Sequence, residues 1–285
     1  MERHKMSIEV SAKDLQRLLK LIEEEVKQEE ISLLLFEREI RIEGKNIPVK
    51  ILNDIVKGVK NLVSPLKPVL GKFLVVSGID KSGKETQCFN PKGIEGILSI
   101  YNYLTQSSHK VKKVSLPSYD TNLGALVASY LKRESNIIIK GELSKDYAWI
   151  LWSLDRAQHN DAIVDWLKAS SKNIVLSRRW LESNVAYQKA NDLDVKRILD
   201  LEKNIIKQDY TFVIDLPAEI AIKRVDKIES EKDLYEDVAF MEKVRKIFLN
   251  LQKYYPFGKT FIINGANPLH VVNKQILDLL RELGF

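Results

Sequence analysis

The chain has 285 residues, of which 45% are hydrophobic and 29% are charged, and this composition is typical of an ordinary soluble globular protein. Cys88 is the only cysteine, so an internal disulfide is excluded and a reducing cytoplasm is the expected compartment. The sequence has no long apolar run, which argues against secretion and against a membrane-spanning segment. The net charge of +6 fits anionic ligands such as nucleotides, but Lys and Glu are interleaved, so no nucleic-acid partner is expected.

Residues 1–66 predict a small N-terminal α+β module. Apolar residues recur at helical spacing from Leu15 to Val26, with Ser11 as N-cap, and again from Leu52 to Leu62. Between these helices, the apolar run at 31–36 and the alternation at 40–42 predict a β-hairpin. No motif in this module carries chemistry, which favours a role in stability or a dimer contact, while a regulatory or nucleic-acid-binding role stays open. Two prolines in 64–68 predict a linker that ends the module.

From residue 71 onward, strand and helix patterns alternate along the chain. Five β-rich segments are separated by helical stretches, at 73–77, 113–116, 173–177, 210–216 and 260–263. This order predicts an α/β fold with a parallel five-stranded sheet and helices on both faces. Because ligands of such sheets bind beyond the carboxyl ends of the strands, the residues that follow these segments are candidates for a site.

The first predicted strand leads into Gly78, and five residues later Gly83 and Lys84 begin a helical stretch. Glycines let the backbone wrap closely, successive N–H groups point into the cradle, and a lysine reaches the outer phosphates. The spacing therefore predicts a polyphosphate-binding loop, and the alternative is a glycine-containing strand-to-helix turn without a ligand. Glu85 stands where Ser or Thr normally serves magnesium, and Thr86 follows it.

Two pairs of side chains later in the sequence suit a nucleotide. Trp152 and Arg156 lie four residues apart in a helical stretch, so they share one face, where an indole can stack on a base and a guanidinium can donate to its oxygens. A core tryptophan beside a solvated arginine is the alternative. Arg178 and Arg179 follow the third strand directly, where two guanidiniums suit phosphate binding. The alternative is a pair of exposed surface arginines that bind no ligand.

Four motifs occur in the order found in thymidylate kinases. They are Gly78-x-Asp80-x-x-Gly83-Lys84-x-Thr86-Gln87, Pro117-x-Tyr119, Asp155-Arg156-Ala157-Gln158-His159 and Arg179-Trp180-x-x-Ser183-Asn184-x-Ala186-Tyr187-Gln188. Each motif alone is moderately specific, but all four in this order and at compatible spacing are strongly specific. Across residues 71–285, the chain resembles this family of P-loop nucleoside-monophosphate kinases as an atypical member.

The resemblance implies ATP as the phosphoryl donor, with Mg²⁺, and dTMP as the acceptor. It implies that ATP is bound by the loop residues Gly78, Asp80, Ser82, Gly83, Lys84, Glu85 and Thr86. For the acceptor it implies contacts from Asp80 to the 3′-hydroxyl, from Trp152, Arg156 and Asn184 to the base, from Arg179 to the phosphate, and from Tyr187 and Tyr119 near the deoxyribose. Lys81 occupies the position of a catalytic arginine in one family subtype. The catalytic set implied is Lys84, Lys81, Arg179, Arg178 and Glu85.

The resemblance also extends to a lid and to an assembly. Residues 220–224 are similar to the helix that leads to the family's lid. Lys227, Lys232, Asp233 and Glu236 match the charged lid segment, with a solvated helix face as the alternative. A homodimer is implied as well.

Three features depart from the family pattern. Glu85 replaces Ser or Thr, and Pro91 with two neighbouring glycines predicts a short or broken helix after the loop. Arg178 stands where the family has an aspartate that organises magnesium. Two like charges about 6 Å apart, at an effective dielectric near 20, repel by roughly 3 kcal/mol, so Arg178 opposes a metal unless it points at phosphate. We hypothesise that Glu85 restores the negative charge, which makes Glu85 and Thr86 the candidate metal ligands.

The leading hypothesis is phosphoryl transfer from ATP to dTMP, giving dTDP and ADP. One alternative is a nucleotide-binding protein with impaired catalysis, in which residues 1–66 serve regulation or interaction, and Arg178 favours this alternative. Another is a kinase for a different deoxynucleotide or nucleoside, suggested by the bulky side chains of Trp152 and Trp180.

Overall fold

The computed structural model describes residues 7–28, 32–224 and 237–285. In chain order, the elements are β1 (Ile8–Ser11), α1 (Ala12–Val26), α2 (Leu33–Glu43), α3 (Val49–Val63), β2 (Lys72–Ser77), α4 (Lys84–Phe89), α5 (Ile100–Gln106), β3 (Lys110–Ser115), α6 (Asn122–Tyr130), β4 (Ile137–Lys140), α7 (Lys145–Ala148), α8 (Ile150–Lys168), β5 (Asn173–Arg178), α9 (Leu181–Ala190), α10 (Val195–Leu201), β6 (Tyr210–Asp215), α11 (Ala218–Lys223), α12 (Val238–Leu249), α13 (Leu251–Tyr254), β7 (Lys259–Asn264) and α14 (Leu269–Glu282).

These elements form two compact units. The first, called the N-terminal unit here, contains the described residues of Met1–Leu66, Leu116–Asp161 and Leu193–Ile206. The second, called the sheet unit, contains those of Lys67–Ser115, Ala162–Asp192 and Lys207–Phe285. The division after residue 66 lies in the linker predicted from the sequence, and a further division falls within α8.

The sheet unit contains a five-stranded sheet with the strand order β3-β5-β2-β6-β7, in which every neighbouring pair is parallel. The predicted α/β fold with a parallel five-stranded sheet is therefore confirmed. The one sizeable shift in bounds is β3, which begins three residues before its predicted start. Its first residues alternate Lys110, Val111 and Lys112 and lie on an edge of the sheet, where lysines hinder unwanted strand pairing but weaken the apolar signal.

Both faces of the central strand β2 are buried. Leu74 and Val76 belong to a core that α4, α5 and α14 complete on one face. Phe73 and Val75 point to the other face because successive side chains of a strand alternate, and they are also fully buried. This double burial explains why β2 is a continuous apolar run in the sequence, and it fixes the residues that follow β2 at the carboxyl edge of the sheet.

The N-terminal unit begins with a two-stranded parallel sheet of β1 and β4. The two predicted helices are present as α1 and α3, and the predicted N-cap is confirmed, because Ser11 Oγ accepts a hydrogen bond from Asp14 N at 3.3 Å. The buried Asn61 of α3 donates to the Ala157 carbonyl at 2.7 Å. The segment 1–66 is thus packed with later parts of the chain in one compact unit.

The predicted β-hairpin at 31–42 is wrong, because helix α2 spans Leu33–Glu43. Phe36 and Ile40 are its two buried side chains, and a spacing of four residues places them on one helical face. Glu37 and Arg41 form an ion pair at 2.8 Å with the same spacing. The apolar run misled the prediction because the leucines that begin α2 are exposed, so they say little about periodicity.

Candidate functional site

The loop between β2 and α4, residues 78–84, is called the phosphate loop here. Gly78 and Gly83 have φ angles of 134° and 91°, and Lys81 has a φ of 61°. A Cβ atom at Gly78 would lie 2.5 Å from the carbonyl oxygen of Ile214, so only glycine fits there. The helix that follows has six residues, as the interrupted sequence after Gln87 predicts. The sequence folds here into a tight, glycine-dependent loop at the carboxyl edge of the sheet.

Lys84 is a buried cation in this loop. Its Nζ donates to the Ile79 carbonyl and lies 3.4 Å from Ser82 Oγ. Burial lowers the pKa of Lys84 well below its usual value, and the positive charges of Arg179 and Arg178 lower it further. Three cations therefore interact around one loop, and a polyanion would relieve their repulsion.

Arg179 follows β5 and is held rigidly. Its φ angle of 66° is unusual for a residue other than glycine. Its Nη2 donates to Asp80 Oδ1 at 2.5 Å and to the Tyr187 hydroxyl at 3.0 Å, and the guanidinium lies 4.9 Å from the centre of the Tyr187 ring. Burial alone would lower the pKa of Arg179. The charges of Tyr187 and Asp80 and their hydrogen bonds to the guanidinium outweigh the effect of burial, so the pKa lies above its usual value. Three residues predicted to contact the acceptor are thus brought together.

Arg178 is the last residue of β5, and its Nε donates to Ser115 Oγ on the neighbouring strand β3 at 2.7 Å. Its charge contributes to the lowered pKa of Lys84, so it lies within electrostatic reach of the phosphate loop. The Arg178 guanidinium is therefore held at the carboxyl end of β5.

Two oxygen donors in α4 are chemically suited to Mg²⁺. Glu85 is exposed and Thr86 is half-buried, directly after Lys84. Within the described residues, no cluster of three or more His, Cys, Asp or Glu side chains is arranged to bind a metal. Magnesium in kinases is usually held by one or two carboxylates together with substrate phosphates, so a carboxylate and a hydroxyl beside the loop fit this ion. Lys81, the remaining loop candidate, is exposed.

Helix α9 carries two further predicted residues and one that the sequence did not indicate. Asn184 and Tyr187 are both buried. Glu182 is fully buried, and it accepts hydrogen bonds from Ser77 Oγ and, at 3.0 Å, from Trp180 N. Its position before the motif serine gave no signal, because a lone glutamate in a helix is usually a solvated residue.

Trp180 gives no support to the alternative of a kinase for a different deoxynucleotide or nucleoside. Its side chain is fully buried, and its ring packs edge-on against Phe73 of β2 with 5.1 Å between ring centres. Trp180 is therefore part of the core of the sheet unit.

In the N-terminal unit, α8 carries Trp152 and Arg156, as predicted. Trp152 is half-buried and lies edge-on to Tyr130 with 5.7 Å between ring centres. The alternative of a solvated arginine is wrong, because only 2% of Arg156 is exposed. Its Nε and Nη2 donate to the two carboxylate oxygens of Glu202 at 2.8 and 2.7 Å, and Ser153 Oγ donates to Glu202 at 2.6 Å. Glu202 lies far from α8 in the sequence, so no local pattern indicated it.

A second polar cluster in the N-terminal unit surrounds Asp155. Ser118 donates to this carboxylate through its hydroxyl at 2.5 Å and its backbone N–H at 3.1 Å, and the same hydroxyl lies 2.8 Å from His159 Nε2. Burial raises the pKa of Asp155. The cluster fixes the residue that precedes Tyr119, whose ring is more than a third exposed and lies 5.5 Å from the guanidinium of Arg133.

Helix α11 spans Ala218–Lys223 and contains most of the segment that resembles the approach to the lid. The four lid candidates, Lys227, Lys232, Asp233 and Glu236, lie outside the described residues. Among the helices that the structure describes, none is both long enough and apolar enough to span a bilayer.

Comparison with known proteins shows which family the chain is similar to. The family model described as "Thymidylate kinase" matches residues 76–276. The chain is 29% identical over 215 residues to a protein named "Probable thymidylate kinase" from Thermococcus kodakarensis, a match that covers 74% of this chain and 98% of that protein. It is 30% identical over 223 residues to a thymidylate kinase from Sulfurihydrogenibium, covering 75% and 98%.

A solved thymidylate kinase from Candida albicans has a similar fold. The TM-score is 0.54 at 22% sequence identity, and the match covers 76% of this chain and 93% of that chain. The phosphate loop, the ordered motifs and the extent of the family match agree. The chain therefore belongs to the thymidylate kinase family of nucleoside-monophosphate kinases.

Proposed function

We propose that this protein transfers the terminal phosphoryl group of ATP to dTMP, giving dTDP and ADP. The observation that carries the proposal is the gathering of Lys84, Arg178 and Arg179 around a glycine-dependent loop at the carboxyl edge of a parallel sheet. Burial and the positive charges of Arg179 and Arg178 lower the pKa of Lys84, and two phosphate-bearing nucleotides would relieve the repulsion between these cations. Membership of the thymidylate kinase family supports dTMP as the acceptor.

In the proposed mechanism, the sheet unit handles the phosphates. Lys84 would exchange its contact with the Ile79 carbonyl for the donor phosphates of ATP, while Arg179 holds the acceptor phosphate. Asp80 and Tyr187 orient Arg179. Transfer in line between the two phosphates needs positioning and charge neutralisation but no covalent intermediate on the protein. The exposed Lys81 would then stabilise charge on the moving phosphoryl group.

Magnesium would be bound by Glu85 and Thr86 together with the donor phosphates, and it would neutralise part of their charge. Arg178 would neutralise phosphate charge with a cationic side chain, whereas the resemblance implies an aspartate at this position in the family. Its hydrogen bond to Ser115 keeps its guanidinium at the strand end in place of the missing acid. We propose this as the atypical feature of phosphate and metal handling in this chain.

The proposed base contacts come from Trp152, Arg156 and Asn184, with Tyr119 and Tyr187 near the deoxyribose. Arg156 is suited to reading a base because Glu202 holds its guanidinium from one side. A guanidinium held rigidly discriminates better between nucleotide bases than a mobile one, since it loses less conformational freedom when a base binds. The predicted ATP contacts of Gly78, Ser82 and Gly83 belong to the same proposal.

The test is a coupled assay of ADP release with each natural nucleoside monophosphate as acceptor. We expect the highest kcat/KM with dTMP. A clear preference for another acceptor would refute the substrate assignment while leaving the kinase assignment intact. Three further expectations stay predictions: a kinase domain at residues 71–285, a homodimer and a cytoplasmic location. The same assay on variants within residues 71–285 tests the extent of the kinase domain.

A second function is favoured by Arg178 alone. In this alternative the protein binds nucleotides with impaired turnover, and residues 1–66 serve an interaction or regulatory role. Calorimetric binding of dTMP without detectable ADP production would support it. Measurable turnover that depends on Lys84 would exclude it.

A further inference from the structure

Glu182 connects two parts of the sheet unit that carry the proposed phosphate contacts. It lies in the first turn of α9, and its side chain is fully buried. Ser77 Oγ donates to its Oε1, and Ser77 is the last residue before the phosphate loop. The backbone N–H of Trp180, the residue after Arg179, donates to the same oxygen at 3.0 Å. A single carboxylate oxygen thus contacts both the start of the loop and the turn that bears Arg179.

The other contacts of Glu182 hold it in place. Ser183 Oγ lies 3.0 Å from the same Oε1 and 3.0 Å from Ser77 Oγ. Gln208 Nε2 donates to Oε2 at 3.3 Å, and Gln208 in turn accepts a hydrogen bond from the Tyr255 hydroxyl at 2.8 Å. The donors to Glu182 are therefore uncharged groups fixed in the core.

Such an arrangement is costly for a residue that only fills space. A buried carboxylate satisfied by uncharged donors loses its hydration, and an apolar side chain of similar size fills a core at lower cost. The turn that Glu182 holds is also strained, because Arg179 has a left-handed φ angle of 66°, which persists in a residue other than glycine only where its neighbours enforce it. The N–H of Arg179 donates to the Val76 carbonyl of β2 at 3.1 Å, which fixes the same turn from its other side.

We propose that Glu182 is a positioning residue that sets the placement of Arg179 relative to the phosphate loop. It acts through Ser77 on the loop that carries Lys84 and through Trp180 on Arg179. The inference rests on the proposed function, in which the donor phosphate lies on the loop and the acceptor phosphate on Arg179. In-line transfer is sensitive to their alignment, since a misplacement of about 1 Å can cost on the order of 10²-fold in rate.

The primary test is Glu182→Gln, assayed for kcat and for the KM values of ATP and dTMP. We expect kcat to fall about 10–100-fold while both KM values stay within about 3-fold, because alignment rather than affinity is lost. The matched control is Glu23→Gln in the N-terminal unit. Glu23 is also buried, and it binds Arg197 and Lys27. The control variant is expected to lower the melting temperature without changing kcat.

Ser77→Ala keeps the inference testable if Glu182→Gln does not fold. This smaller change removes the contact to the loop and leaves the contact to Trp180, so we expect a loss in kcat of about 3–10-fold. A folded Glu182→Gln variant with wild-type kcat would overturn the inference. So would wild-type kcat in Ser77→Ala when Glu182→Gln is unfolded.

The failure of the proposed function is distinguishable from the failure of this inference. If the wild-type chain releases no ADP, the proposed function fails, and the positioning role is judged by binding of a ligand that joins adenosine and thymidine through five phosphates. Glu182→Gln should then weaken the affinity for this ligand about 10-fold but that for ADP less than about 3-fold. Equal losses for both ligands, or a wild-type chain that binds neither, would refute the positioning role.

Discussion

Replacing Glu202 by Gln is expected to destabilise the protein strongly, because it leaves the Arg156 guanidinium buried without its bidentate partner. Glu202 is completely buried, and only 2% of Arg156 is exposed. Two charge-assisted hydrogen bonds of 2.8 and 2.7 Å join the two side chains. The neighbouring carboxylate of Asp155 is engaged by Ser118 and Gln158.

The expected size of the effect follows from this burial. Removing one partner of a buried ion pair costs about 3–5 kcal/mol of the free energy of unfolding. For a domain of this size, each kcal/mol lowers the melting temperature by roughly 2–4 °C, so Glu202→Gln should melt roughly 6–20 °C below the wild type. In the same variant we expect a higher KM for dTMP, since Arg156 loses its fixed orientation.

Thermal unfolding monitored by circular dichroism measures this shift. The control is Asp200→Asn, which removes the exposed ion pair between Lys196 and Asp200 in the neighbouring turn of the chain. An exposed pair four residues apart in a helix contributes about 0.3–0.5 kcal/mol, so the control should melt within about 2 °C of the wild type. A Glu202→Gln variant that also melts within about 2 °C would refute the reasoning.

The remaining predictions concern the loop, the metal and pH. Lys84→Met should lower kcat at least about 100-fold without lowering the melting temperature, because it removes a desolvated cation; a large thermal loss would contradict this. Glu85→Ala should abolish magnesium-dependent ADP release, and unchanged activity would remove Glu85 from the metal site. Burial raises the pKa of Asp155 in the folded state, so the folded protein binds a proton more readily than the unfolded chain. The contribution of Asp155 to stability should therefore fall as pH rises from about 4 through its raised pKa. In Asp155→Asn, the melting temperature should depend less on pH over that range. Thermal melts of both proteins across a pH series measure the difference.

The sheet was predictable because its signal is local. Strand β2 is a continuous apolar run, and Gly78, which follows it, is required by its close approach to the Ile214 carbonyl. The hairpin at 31–42 failed because the leucines that begin α2 are exposed, so the apolar run there does not report a buried face. In that segment the helical pairing of Phe36 with Ile40 was the better guide.

The polar networks were not predictable, because their members are brought together only by the fold. Glu182 and Ser77 are far apart in the sequence, as are Glu202 and Arg156. A pattern within one helix cannot tell a buried carboxylate from a solvated one. The roles of the predicted site residues rest on the family resemblance and stay predictions, to which the structure adds the contacts of Arg179 with Asp80 and Tyr187.

The pairing of β1 with β4 bears on how this protein can be shortened. Residues Ile8–Ser11 provide the hydrogen-bonding neighbour of Ile137–Lys140, so a variant that starts after the linker would leave β4 with an unsatisfied edge. During synthesis, β1 must also wait for most of the first half of the chain to emerge before it finds its neighbour. Attempts to isolate a minimal catalytic fragment by trimming the amino terminus should therefore yield aggregation-prone material, and an intact leading segment belongs in any expression design.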